Sequence, residues 1–186
     1  MIEGDRLPTI PAGRVALRWL IDSDVDDLFA IFSDPEVMRY WSTTPMTDRS
    51  AAEALLRQIR ECFRKRELLQ WGVVRDGDGT VIGTCTLAHL DAANRRAEIG
   101  FALASEHHGN GYMGEALTAL LEFAFGDLDL HRIEADVDPR NGPSIRVLER
   151  LSFQREGLLR ERWLVGGGAQ DSLFYGLLRS EWRRRC

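Results

Sequence analysis

No stretch of this sequence is apolar for the roughly 20 residues that a bilayer-spanning helix needs, so a transmembrane segment is not expected. The opening residues, MIEGDRLPTIP, also lack the basic-then-apolar order of a secretory signal, and a cytoplasmic protein is the expectation. Cysteine is scarce: Cys62, Cys85 and Cys186 are an odd three without metal-ligand spacing, which points to reduced thiols rather than a disulfide framework. Four histidines, His89, His107, His108 and His131, form no metal-ligand spacing either. Excess positive charge is missing too. A net charge of -5 and a pI near 5.4 argue against broad nucleic-acid binding, and Arg183, Arg184 and Arg185 are too few to make such a site. Linkers, repeats and low-complexity blocks are absent as well, so the 186 residues read as a single domain.

What is present is patterned. Residues 14–20 alternate as a strand, and Val25, Leu28, Phe29 and Phe32 mark one face of a helix over residues 23–32. The acids around that helix start, Asp22, Asp24, Asp26 and Asp27, form either a solvated helix start or a patch that draws in an amine. Ser50 and Glu53 stand at capping-box spacing before Leu55, Leu56, Ile59 and Phe63. Residues 69–75 and 81–90 flank Asp76-Gly77-Asp78-Gly79 as a hairpin, and residues 97–103 form a third antiparallel strand. A helix, a strand over residues 133–137, a helix with Pro143 in its first turn and a closing hairpin around Gly166-Gly167-Gly168 follow. The order gives seven strands and four helices in an α+β domain with a mixed sheet.

The most informative segment is AEIGFALASEHHGNGYMGEALTALLEFAF, where a strand enters an amphipathic helix through a glycine-rich turn. Gly109, Asn110, Gly111 and Gly114 lie where backbone N–H groups lack helical partners, a ready place for a phosphate. Taken literally, Gly109 to Gly114 spell G-x-G-x-x-G, and Asp136 lies where a ribose-binding acid of an NAD(P) enzyme would be. Antiparallel strands before the motif, and too little chain after it for a second half, argue against a doubly wound dinucleotide fold. A turn that is merely tight is the third reading.

AEIGFAL, HHGNGYMGEAL, HRIEADVDPRNGPSIRVLERLSF and FYGLLRSEW together resemble the GNAT superfamily of N-acetyltransferases, in particular its RimJ/RimL-like branch. The resemblance runs from the first strand to Trp182 and implies a largely antiparallel sheet with one splayed parallel pair. It implies acetyl-CoA as donor, CoA as product and no metal. The phosphate loop would span His108, Gly109, Asn110, Gly111, Tyr112, Met113 and Gly114, with His108 and Met113 departing from the usual Arg or Gln and the usual small residue. The pantetheine arm would add as a strand to the backbone of Phe101, Ala102 and Leu103. Asn141 would contact the same arm, or else cap the helix that follows.

Glu98 is the candidate general base. Strand alternation puts it on the face of Gly100 and Ala102, whose small side chains leave room for an acyl group. A solvated carboxylate, or an ion pair with Arg95 or Arg96, is the alternative. The helix after Asn141 has no tyrosine to serve as acid, and Tyr112 and Tyr175 are assigned no such role; a thiol pKa of about 8.5 makes thiolate a tolerable leaving group. The branch suggests an amine acceptor, a protein N-terminal α-amine or a small-molecule amine, with residues 33–50, including Tyr40, Trp41 and Met46, lining its pocket. A CoA-sensing domain without transfer stays open, as does a homodimer through exposed strand edges.

Overall fold

The computed structural model describes residues 4–77 and 79–183; Asp78 of the hairpin turn, Arg184, Arg185 and Cys186 lie outside the described residues. Among the described residues, eight strands form one sheet in the order β1-β2-β3-β4-β5-β6-β8-β7. They are β1 (Ile10–Ala12), β2 (Val15–Arg18), β3 (Leu68–Arg75), β4 (Val81–Asp91), β5 (Arg96–Leu103), β6 (Arg132–Val137), β7 (Gln154–Val165) and β8 (Gly168–Leu178). Six α-helices among the described residues flank them: α1 (Val25–Ser33), α2 (Pro35–Met38), α3 (Arg49–Arg64), α4 (Tyr112–Gly126), α5 (Gly142–Arg150) and α6 (Arg179–Arg183). None of the helices among the described residues is long and apolar enough to cross a membrane.

Every strand pairing is antiparallel except one. β5 and β6 run parallel, and they are paired only at Arg96↔Arg132, Ala97↔Ile133 and Glu98↔Glu134. Beyond Glu98 both strands continue without each other, β5 held by β4 and β6 held by β8. The sheet is therefore open at its centre.

Two apolar layers hold this geometry. Alternation sends Ala97 and Ile99 of β5, and Ile133, Ala135 and Val137 of β6, into the core under α4, whose Leu117, Leu120, Leu121 and Phe125 are buried against them. The opposite face of β5 presents Ala102 to a second cluster built from Leu28, Ile31 and Phe32 of α1 and Ala52, Leu56 and Ile59 of α3. Helix α3 is held at its start by Asp48, whose carboxylate accepts from the Ala51 N–H at 3.3 Å. This corrects the expected capping box: Ser50 lies inside the helix and hydrogen-bonds Asp48, and Glu53 pairs with Arg49.

The acidic cluster is likewise consumed by structure. Asp24 is 3% exposed and takes two hydrogen bonds from Arg18, at 2.7 and 2.8 Å, and one from the Ile21 N–H at 2.7 Å. Asp22 pairs with Arg60, Asp26 with Arg49, and Asp27 accepts from the Val81 N–H at 2.9 Å. Asp24 and Asp27 seat α1 on the sheet, whereas Asp22 and Asp26 reach across to α3 from solvated positions, 87% and 75% exposed.

Candidate active site

Where β5 and β6 part, a cleft of about 190 Å³ opens. Its floor is Glu98, Gly100 and Phe101 of β5 with Asp136 of β6; its walls are Tyr40 and Trp41 from the segment after α2, Asn141 and Leu148 from α5, and Trp163, Gln170 and Ser172 from β7 and β8.

Glu98 enters the cleft from a strand whose neighbours spend their charges elsewhere. Arg95 pairs with Asp129, and Arg96 pairs with Asp91 and with Glu134 at 2.8 Å. Glu134, beside Glu98 in the parallel register, is held by Arg96 and Arg132. Glu98 makes no hydrogen bond or ion pair with any described residue, so the expected alternative of a partner in Arg95 or Arg96 is set aside. Burial raises its pKa above the usual carboxylate range, with smaller effects from His89 and Arg162, which lower it, and from Asp136 and Glu134, which raise it. A half-buried, unpaired carboxylate whose pKa is raised by burial is a stronger base than an exposed one and is suited to take a proton.

The glycine turn is an N–H cradle. Gly109 and Gly111 adopt φ of +77° and +84°, which L side chains avoid, and the first backbone bond into α4 is Glu115 N–H to the Gly111 carbonyl at 3.2 Å. The N–H groups of Gly109, Asn110, Gly111, Tyr112, Met113 and Gly114 find no acceptor among the described residues. A Cβ placed on Gly109 or Gly114 would meet nothing within 4 Å, so the space beside the cradle is open. Arg14 braces it from β2's side: its guanidinium bonds the Asn110 carbonyl at 2.7 Å and Glu115 at 2.8 Å, and lies 4.9 Å from the centre of the Tyr112 ring. His108, though exposed, places its Nε2 2.9 Å from the Leu103 carbonyl oxygen and so ties the loop to the end of β5. Ser105, just before the loop, donates to Asp34 at 2.6 Å and links the cradle to α2 on the opposite wall.

The open edge of β5 carries a correction. The Arg95 carbonyl accepts from the His131 N–H at 2.6 Å, toward β6, whereas the Ala104 N–H donates to Ile82 at 2.8 Å, toward β4. Backbone direction alternates along a strand, so Ile99 and Phe101 present their N–H and C=O groups to the cleft, and Leu103 turns the same way with its carbonyl taken up by His108. Ala102 does not: its carbonyl lies 2.4 Å from where a Cβ on Gly83 of β4 would be. Asn141 caps α5, accepting from the Ser144 N–H at 3.2 Å, and also lines the cleft. Tyr175 is buried with its hydroxyl on Glu149 at 3.3 Å, and Tyr112 packs beside Arg14; neither lines the cleft. Trp41 lines it while resting on Phe32, and Met46 packs instead into the α1–α3 core.

Asp136 is placed by β6 on the cleft face and is fastened by Ser172, Trp163 and Arg162 rather than lying beside a nucleotide fold. Ser172, Gln170 and Trp163 are cleft residues that sequence pattern did not single out. The visible signal was the alternation of Glu134 and Asp136, two acids in register with Glu98's face.

The family described as Acetyltransferase (GNAT) domain matches residues 14–154. The chain belongs to the GNAT family. Its relatives include the Uncharacterized N-acetyltransferase p20 of Bacillus licheniformis, 38% identical over 95% of this chain and 99% of that one. The [Ribosomal protein uS5]-alanine N-acetyltransferase of Escherichia coli is 25% identical over 91% of this chain and 90% of its own. Among solved structures, Mycobacterium smegmatis RimJ in complex with CoA-disulfide superposes with a TM-score of 0.81, 29% identity and coverage of 95% of this chain and 88% of that one. The GNAT assignment makes this an N-acetyltransferase of the acetyl-CoA-dependent kind, and the NAD(P) reading falls with the mixed sheet and its single parallel pair among the described residues.

Proposed function

We propose that this GNAT enzyme transfers acetyl from acetyl-CoA directly to a primary amine, with a protein N-terminal α-amine as the acceptor. The observation that carries the reading is Glu98, an unpaired carboxylate raised in pKa by burial, at the point where β5 and β6 separate. The residues present fit the donor. Six N–H groups without acceptors suit its pyrophosphate, and the cleft-facing backbone of Ile99 and Phe101 suits its amide-containing arm. His108 and Asn141 complete the cradle, the first by fixing the loop to β5 and the second at the mouth of α5. Ala102 has no part in it, since its backbone faces β4 and its side chain is buried in the second core cluster.

Bound acetyl-CoA supplies the thioester carbonyl and, with a free-thiol pKa of about 8.5, a leaving group that departs as thiolate. Glu98 accepts the proton of the attacking nitrogen through a bridging water while the N–C bond forms and the C–S bond breaks. The aromatic walls of Tyr40, Trp41 and Trp163 and the acid Asp136 favour a cationic end with an apolar or peptide body. An α-amine, with a pKa of roughly 7.7 to 8.0, reaches its neutral form more readily than a lysine amine at about 10.4. Resemblance to a uS5-alanine N-acetyltransferase supports the same class.

Initial rates of CoA release test this with matched peptides, one with a free N-terminus and blocked lysine, the other with a blocked N-terminus and free lysine. The first should be the better substrate. Equal or reversed rates would move the acceptor to lysine or to small-molecule amines.

A further inference from the structure

One carboxylate of the cleft is held in an unusual way. Asp136 is nearly covered, its side chain 8% exposed. Its Oδ1 receives two neutral donors, the Ser172 hydroxyl and the Trp163 indole N–H at 3.3 Å, which fix the group's orientation. Its Oδ2 has only the Arg162 Nε at 3.4 Å, a long contact from a side chain that is 47% exposed. The anion is thus firmly aimed by one oxygen and loosely covered by a cation on the other.

The fold goes to some length to put that cation there. Arg162 and Trp163 are consecutive and would point to opposite faces of a regular strand. A bulge in β7 between Leu159 and Trp163 breaks the register against β8. Glu161 sits in it at φ +53°, with its N–H on Asp171 at 2.8 Å. The irregularity brings both side chains onto Asp136, and bulges beside active sites commonly re-aim side chains in this way. Arg162 also lies over the Trp163 ring, 5.3 Å from its centre, a contact it makes while it rests on the carboxylate.

We propose that Asp136 is the subsite for the acceptor's ammonium group, and that Arg162 holds the place of that ammonium until the substrate arrives. This rests on the amine-acceptor reading above. The incoming cation exchanges with Arg162 on Oδ2, in the same cleft as Glu98, and the nitrogen is thereby oriented; its first proton is lost to bulk water, and the neutral amine then attacks and passes its second proton to Glu98. Charges facing Glu98 are His89 of β4, Glu134 and Asp136 of β6 and Arg162 of β7. Removing Asp136's charge therefore lowers the Glu98 pKa, and removing Arg162's charge raises it.

The test uses Asp136→Asn and Arg162→Gln with an alanine-initiated tripeptide amide. In Asp136→Asn the KM for the peptide should rise about tenfold or more, as expected for losing a charged hydrogen bond, with the dissociation constant of acetyl-CoA unchanged. Arg162→Gln should leave that KM equal or lower. The acid limb of kcat/KM should move to lower pH in Asp136→Asn and to higher pH in Arg162→Gln, opposite shifts that a packing role would not produce. The Trp163 indole N–H resonance, assigned with Trp163→Phe, should move when peptide is added to wild-type protein and stay still in Asp136→Asn. An unchanged KM in Asp136→Asn, shifts of the same sign, or an indole signal that ignores the free-amine peptide would each overturn the proposal. A moving indole without CoA release would instead overturn the transferase reading and leave the ammonium subsite standing.

Discussion

Replacing Gly111 with alanine probes the cradle directly. At φ +84° a residue with a Cβ carries a cost of about 1–2 kcal/mol. The added carbon would also stand 3.3 Å from Arg14 Nη2, the nitrogen that bonds the Asn110 carbonyl. Relief of that strain rotates the peptide groups whose N–H bonds form the fan at the start of α4. If the whole cost falls on the aimed geometry, the acetyl-CoA dissociation constant rises about 5- to 30-fold. Gly167 is the matched control: its φ is +83°, it turns the β7–β8 hairpin, and nothing lies within 4 Å of its Cβ position. Gly167→Ala should lose a comparable about 2–8 °C in melting temperature while binding acetyl-CoA like the wild type. Calorimetric titration and thermal unfolding of both variants decide the matter. Gly111→Ala that melts like Gly167→Ala and binds acetyl-CoA at full affinity would refute the role of the loop.

Glu98→Gln should cut kcat by about 10²-fold or more with little change in acetyl-CoA affinity, read by steady-state kinetics and titration. It should also stabilise the fold at neutral pH. Because the folded-state pKa of Glu98 is raised, the folded protein holds this proton more tightly; its contribution is present below the unfolded pKa and lost as pH rises through the folded one. The gain in melting temperature from Gln should therefore vanish in acid. Asn141→Ala should cost about 1 kcal/mol of stability as a lost cap; Asn141→Ser should recover the melting temperature, and acetyl-CoA affinity recovered with it would mean that capping is the residue's whole role. Asp24→Ala, which strands Arg18 beside a buried site, should destabilise by about 3–5 kcal/mol in urea unfolding, and a loss below 1 kcal/mol would show the pair to be solvated.

Local pattern made much of this fold readable. The β3–β4 hairpin announced itself by its Asp-Gly turn, and α4 by apolar residues at helical spacing, because both signals are contained within a few neighbours. Elements too short to show a period were missed: β1, three residues containing Pro11, the four-residue α2 and the closing α6. The misplaced cap has a similar cause, since Asp48 and Ala51 stand at the same separation as Ser50 and Glu53, and spacing alone does not say which pair meets.

Within the site, Glu98 was legible because alternation along β5 is a property of the strand itself. The same alternation rules out Phe101, Ala102 and Leu103 all facing one edge, a constraint that becomes concrete only once β4 and β6 are assigned to opposite sides. The setting of Asp136 was beyond reach, for it depends on β8 returning beside β6 and on a bulge in β7 that no local pattern encodes. Both acids near the cleft, and those near α1, looked alike as sequence; only their partners separate the structural Asp24 from the open Glu98.

The most direct measurement is a balanced account of acetyl transfer: purified enzyme, acetyl-CoA and a peptide with a free N-terminus, with CoA, acetylated peptide and enzyme mass followed together. Direct transfer to a primary amine predicts one CoA released for each acetylated peptide, dependent on Glu98, with no acetylated enzyme at any time. Acetyl-CoA that raises the melting temperature yet yields no CoA with any primary amine would contradict the account and leave a domain that binds the donor without using it.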